Sequence, residues 1–358
     1  MFRPILFLAP LLLSACAGGT EDTATDPVVA ATQTEPIKVT SLLPDLRAAS
    51  CSEGTPFLDG QPISIERAPV SLGGDEASVL TEIRFGGAWH LTSDEPNFGG
   101  LSGLAVLPDG ELLAVSDGGA FVWIDMDADA PTGTGRIGYL RGDDGNLLSG
   151  KTKGDSEGLA VVDGVAFVSF ERDHRVLAFD LEACGANARG ALVSRISSTP
   201  LGFPKGFKSN QGAEALSTDG HGGLVVGLES GNAGASVSAI STLTESGLAF
   251  HERLARPNGP FLVGMDSEQD QTFALFRSYA RGIGNLIEVR SYADLSEDGE
   301  TRIRLARPYT VDNFEGIAAT RLEDGVLRLY IISDDNFSDR QRTLLMAFDI
   351  ADPGETPN

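Results

Sequence analysis

Acidic residues recur at two fixed places along this sequence. Glu157, Glu214 and Glu315 each precede a glycine or alanine and then an aliphatic residue, and Ser102 takes that place in an earlier segment. Further along each segment, past a turn, stand Asp117, Glu171, Glu229 and Asp334, with Arg277 in a weaker copy. Carboxylates facing one another within a few ångströms cannot all stay ionised unless a cation offsets their repulsion. The chemistry open to such a set is divalent-cation binding, with calcium the expected cofactor, and proton transfer to or from a reacting group. Asp117, Glu157, Glu214, Glu229, Glu315 and Asp334 are the candidate metal ligands. Glu157, Glu171, Glu214 and Glu315 are the candidate catalytic carboxylates, and His174 joins them as a general acid or base. Arg172, Arg277 and Arg342 would hold an anionic substrate through paired hydrogen bonds.

The elements that position these groups follow from the repeat. Leu101-Ser102-Gly103-Leu104-Ala105 leads to Val115-Ser116-Asp117, and Ser156-Glu157-Gly158-Leu159-Ala160 leads to Ser169-Phe170-Glu171. Ala213-Glu214-Ala215-Leu216 and Phe314-Glu315-Gly316-Ile317-Ala318 open the other clear copies, and Leu262-Val263-Gly264-Met265 opens the weak one. The copies recur at about 50 to 57 residues, the length of one four-stranded antiparallel blade with its loops. The fold expected is all-β: a β-propeller of five or six four-stranded blades, closed by an N-terminal strand near Ile83 to Leu91. A sixth blade would be built from Pro62 to Leu91, and a β-sandwich is the competing architecture. Within a blade the first two strands form a hairpin, so the start of one and the end of the next share an end of the molecule. Both acidic positions would therefore surround one mouth of the central channel.

The ends and the composition set the context. Residues 1–16 read as a lipoprotein signal peptide, with Arg3, an apolar run from Ile5 to Leu13, and Leu13-Ser14-Ala15-Cys16 at the cleavage point. Cys16 would carry a lipid anchor, placing the protein outside the cytoplasm in the bacterial envelope, on the periplasmic side of the outer membrane. Residues 17–45 read as a flexible tether and 46–358 as the propeller domain. A net charge of -24 argues against nucleic acid as a partner and leaves the Cys16 anchor as the expected membrane contact. Cys51 and Cys184 either pair in an oxidising compartment or remain buried thiols. Nothing in the chain sets an oligomeric state.

Three motifs fail on context. Gly154-Asp155-Ser156-Glu157-Gly158 matches the serine-hydrolase elbow, which needs a helix after the serine, and a strand follows here. Asp125, Asp127 and Asp129 begin like a calcium loop, but Ala130 and Arg136 replace the required glycine and bidentate acid. His251-Glu252 lacks the second histidine of a zinc protease.

Phe98-Gly99-Gly100-Leu101-Ser102-Gly103-Leu104 followed by Ala114-Val115-Ser116-Asp117 resembles the opening of the phytase-like domain family, described as having esterase-like activity of phytase. Asp155-Ser156-Glu157-Gly158 with Glu171-Arg172-Asp173-His174-Arg175 is similar to its second block, and Asn210-Gln211-Gly212-Ala213-Glu214-Ala215 to its third. Ser333-Asp334-Asp335-Asn336 with Gln341-Arg342-Thr343-Leu344-Leu345 resembles its C-terminal signature, the likeness running from about Ser64 to Ile350. The resemblance implies a propeller that hydrolyses a small-molecule ester or phosphoester, with Asn210 and Asn336 beside the arginines as substrate ligands. The chain departs from the pattern at Phe276-Arg277, where the family tends to Glu-Arg. A non-catalytic envelope scaffold and a metal-dependent lactonase are the rival expectations.

Overall fold

The computed structural model describes residues 35–74, 83–127, 130–197, 212–219, 222–229, 237–255, 261–280 and 284–350. The expected signal peptide with Cys16, the first part of the expected tether and Asn210 lie outside them.

Many strands are apolar without alternation: Leu112-Leu113-Ala114-Val115 and Val165-Ala166-Phe167-Val168 are buried throughout. A strand of that kind has both faces covered, and here each sheet is sandwiched between two neighbours. Five antiparallel sheets stand around an axis. Blade 1 runs Leu101–Val106, Leu112–Ser116, Ala120–Asp127, Ala130–Tyr139, and blade 2 runs Ser156–Val162, Val165–Phe170, Arg175–Asp180, Ala191–Arg195. Blade 3 follows as Ala213–Thr218, Leu224–Leu228, Val237–Thr244, Gly247–Ala255, and blade 4 as Phe261–Glu268, Gln271–Ala280, Gly284–Tyr292, Glu300–Leu305. Blade 5 comprises Phe314–Arg321, Leu327–Ser333 and Thr343–Ile350, then Ile83–Thr92 and Glu66–Pro69 from the other end of the chain. The first strand of each blade packs against the first strands of both neighbours, and blade 5 returns to blade 1. Apolar cores fill the spaces between successive blades, such as Phe167 with Leu216 between blades 2 and 3 and Leu104 with Ile332 between blades 5 and 1.

Pro62 to Leu91 does not form a sixth blade. Gln61–Ser64 pairs with the outer strand of blade 1, whereas Ile83–Thr92 pairs with Thr343–Ile350. The last part of the segment expected to be a tether is seated on the propeller. Ile37 donates its N–H to Leu243 of blade 3 at 3.0 Å, and Val39, Leu43 and Leu46 are buried against blades 2 and 3. Leu43 and Leu46 share a face of the helix Leu43–Ser50, so burying them holds this segment on the propeller. Arg47 on the same helix pairs with Asp180 at 2.9 Å, and Cys51 just beyond it is disulfide-bonded to Cys184.

The residue after each repeated position is small because the inner strands crowd the axis. A Cβ at Gly158 would sit 2.7 Å from the Leu216 side chain and 2.8 Å from its backbone nitrogen. Gly158→Ala is expected to cost about 3 kcal/mol through overpacking against backbone that cannot retreat, read as a lower thermal midpoint.

Candidate functional site

The repeated position coincides with a break in pairing. In blade 1 the register shifts between Leu101 and Gly103, so Ser102 is the extra residue. The shift lies between Ser156 and Leu159 in blade 2, Ala213 and Ala215 in blade 3, Leu262 and Gly264 in blade 4, and Phe314 and Gly316 in blade 5. Glu157, Glu214, Val263 and Glu315 thus stand on β-bulges, which re-aim a side chain out of the regular pleat. Ser102, Glu214 and Glu315 line a narrow axial cavity of about 10 Å³. The second position is fixed with equal regularity. Asp117, Glu171, Glu229 and Asp334 each donate a backbone N–H to the residue two places before the bulge, namely Gly100, Asp155, Gly212 and Asn313. In blade 4, Phe261 pairs with Arg277 at the same height.

The ring of acids is lopsided. Carboxylate oxygens of Asp155, Glu157 and Glu171 lie within 4.8 Å of one another, and all three residues are buried. Glu171 shares a hydrogen bond with Glu214, and the Glu229 charge acts on both. Burial, then the Glu214 and Glu315 charges, hold the Glu157 carboxyl well above the usual range. Burial, then Glu229 and Glu315, do the same for Glu214. Glu171 is pushed up to about 7 by burial and by the charges of Asp155 and Glu229.

Cationic and amide side chains partner several acids of the ring, Asp155 among them. Lys151 bridges Asp117 and Asp155, contacting Asp155 at 3.0 Å. Arg277 pairs with Glu315 and also donates to Asn313 Oδ1. Asn313 in turn donates to Glu315 Oε1 at 3.0 Å and to Asp334 Oδ2 at 3.4 Å. Asp334 accepts the Asn336 N–H at 2.6 Å, yet burial and the neighbouring Glu315 charge raise it to about 8. Of the six expected metal ligands, the closest group contains Glu157, with Glu214 and Glu229 beside it, while Asp117, Glu315 and Asp334 have cation or amide partners, the Glu315 charge still acting on Glu157 and Glu214. Arg277, which takes the place of an acid in the weak copy of the repeat, supplies the charge that offsets Glu315.

Four further expected residues, Arg172, His174, Arg342 and Asn336, are among those described. Arg172 has a left-handed backbone, φ 58°, and its Nε donates to Asp155. His174 and Glu171 both lie against Gly212, and burial lowers the His174 pKa. Arg342 pairs with Asp312 at 3.2 Å, and Asn336, at φ 51°, donates to Gln341 at 3.3 Å. Asp155, Lys151, Asn313 and Asp335 were missing from the candidate set. Asp335 accepts the N–H of Gly100 at 2.9 Å, joining blade 5 to blade 1. Gly100 has φ +60°, and a Cβ there would strike Asp117 Oδ1 at 2.2 Å, so glycine is required. Asp155 carried a readable signal: it lies two places before Glu157, within the Asp155-Ser156-Glu157-Gly158 block.

Fold and site define a five-bladed propeller with an acidic channel mouth. The family model for the phytase-like domain, described as esterase-like activity of phytase, matches residues 96–337, and the chain belongs to that family. No curated protein matches the chain. Among solved structures, the PQQ-bound aldose sugar dehydrogenase of Streptomyces coelicolor is similar at 14% identity, covering 78% of this chain and 100% of that one, with a TM-score of 0.42. The glutaminyl cyclase of Myxococcus xanthus is 13% identical over 72% of this chain and 93% of its own, with a TM-score of 0.40. The GH43 endo-arabinanase of Bacillus licheniformis is 12% identical over 71% and 96%, with a TM-score of 0.40. Likeness at this level assigns no activity.

Proposed function

We propose that this protein hydrolyses an ester or phosphoester of a small anionic molecule at the acidic mouth, with calcium as its cofactor. The observation that carries the reading is the buried convergence of Asp155, Glu157 and Glu171. The donor set fits a hard cation: every candidate ligand atom is a carboxylate oxygen, and calcium takes six to eight oxygens in flexible geometry. Asp155, Glu157 and Glu171 would hold the ion, with Glu214 and Glu229 in reach. A bound calcium would supply positive charge to polarise a substrate oxygen and to offset repulsion from the anion. With calcium held by Asp155, Glu157 and Glu171, proton transfer would fall to a carboxylate beside them, such as Glu214, or to His174. Arg172 and Arg342, with 38% and 41% of their side chains exposed, are open to an anionic substrate. The family description, esterase-like activity of phytase, favours the same chemistry.

We also place the protein outside the cytoplasm, anchored through Cys16. The leader sequence supports this, and the Cys51–Cys184 disulfide suits an oxidising compartment.

Turnover of nitrophenyl esters and nitrophenyl phosphate, with added calcium and with chelator, tests the activity. Calcium-dependent hydrolysis that falls about 100-fold in Glu171→Gln is expected. No turnover of either substrate under both conditions would remove the enzymatic reading.

A further inference from the structure

Outside the acidic cluster, two arginines are held side by side with no ion-pair partner among the described residues. Arg141 and Arg189 form a parallel bridge, a pairing that projects both side chains to one side of the backbone. The arrangement is fixed by backbone bonds, with Gly190 N–H to Arg141 O at 2.8 Å and Arg189 N–H to Ser50 O at 2.9 Å. Ser50 immediately precedes the disulfide-bonded Cys51, so the Arg189 side of the bridge is anchored covalently. Like charges set opposite each other are unfavourable. Such a pair is the more unusual in a chain with 51 acidic and 27 basic residues.

Neither guanidinium is ion-paired among the described residues. Arg141 Nη1 donates to the Gly145 carbonyl at 3.2 Å, while its buried Nε has no hydrogen-bond partner. Nearby acids are engaged locally: Asp144 accepts from Asn146, and Asp143 accepts the Asp144 N–H at 2.9 Å. Both arginines line an open cavity of about 420 Å³ whose wall includes Thr55, Asn187 and the exposed Glu53. Its lining contains no carboxylate of the acidic mouth.

We infer that this cavity is an anion site for a tetrahedral dianion of the phosphate class, free or as a monoester, gripped by Arg141 and Arg189. Two planar forks offer paired donors to such an anion, and its charge removes the repulsion the backbone enforces. The site is separate from the proposed hydrolytic centre, and its assignment does not depend on that activity.

The test is thermal melting of the full chain in chelator, comparing inorganic phosphate with chloride at matched ionic strength. Phosphate is expected to raise the midpoint by about 3 °C in the wild type and not in an Arg141→Gln, Arg189→Gln double variant. Glycerol phosphate, a monoester, is expected to act in the same way. In chloride, Arg189→Gln alone is expected to melt at or above the wild type, because it removes a like-charge contact. Absence of a phosphate shift in the wild type, or its persistence in the double variant, overturns the site. A midpoint for Arg189→Gln in chloride clearly below the wild type would make the arginine structural and overturn it equally.

Discussion

A Glu157→Gln, Glu171→Gln double variant is expected to lose calcium binding by about 100-fold or more in calorimetry. The same substitution at Glu315 should change it by less than about 5-fold, because Arg277 already neutralises that carboxylate. The contrast follows from the asymmetry of the ring. Blade 2 brings three acids together, and the cations that reach them, Lys151 and Arg172, both pair with Asp155, whereas blades 4 and 5 place an arginine and an asparagine directly on Glu315. Glu157→Gln alone should also raise the thermal midpoint of the calcium-free protein, since it removes a buried carboxyl that burial and its neighbours oppose. If Glu315→Gln weakens calcium as severely as Glu157→Gln, the ion lies on the axis and the blade 2 assignment is wrong.

The calcium-free protein is expected to become less stable as pH rises from 5 to 8, with a midpoint about 8 °C lower at the upper end. The sign follows from proton uptake. Glu171 at about 7 and Asp334 at about 8 keep protons in the folded state that they would release in the unfolded chain. Their contribution is therefore fully present below pH 4 and lost as pH rises through 7 and 8. Saturating calcium should flatten most of this slope, because the ion takes the proton's place among the carboxylates. A residual slope is expected from Asp266, which lies further along the inner strand of blade 4. It accepts the N–H groups of Ala319 and Ser267 at 2.8 Å each, and burial raises it to about 7. Differential scanning fluorimetry across pH, with chelator or calcium, reads both effects. A midpoint that climbs with pH in chelator would contradict the protonation pattern.

The architecture was legible because a propeller repeats one physical problem. Each inner strand must bulge at the same height and pack a small residue against its neighbour, so Glu-Gly or Glu-Ala recurs before an aliphatic run. The imbalance of the site was only half legible. Arg277 was visible as a departure, but Lys151 reaches Asp117 and Asp155 from a connecting segment that belongs to no repeat. The composition of residues 17–45 suggested a tether throughout, and the signal against it was small. Val39, Leu43 and Leu46 are the apolar contacts that seat the segment, and their value depends on the blades they meet.

The pairing of Ile83–Thr92 with Thr343–Ile350 has a consequence for how the molecule comes into being. The first of these strands is made before blades 1 to 4 and waits, unpaired on that edge, until they and the first strands of blade 5 have followed. Blades 1 to 4 can assemble in order of emergence, but the circle cannot shut before its final strand arrives. Such long-range pairing makes for slow maturation and a prolonged interval in which a bare edge can recruit another polypeptide. Loss of residues after Arg342 would leave two edges open permanently, those of Ile83–Thr92 and Leu327–Ser333. The product would be an aggregating fragment, not a shorter propeller.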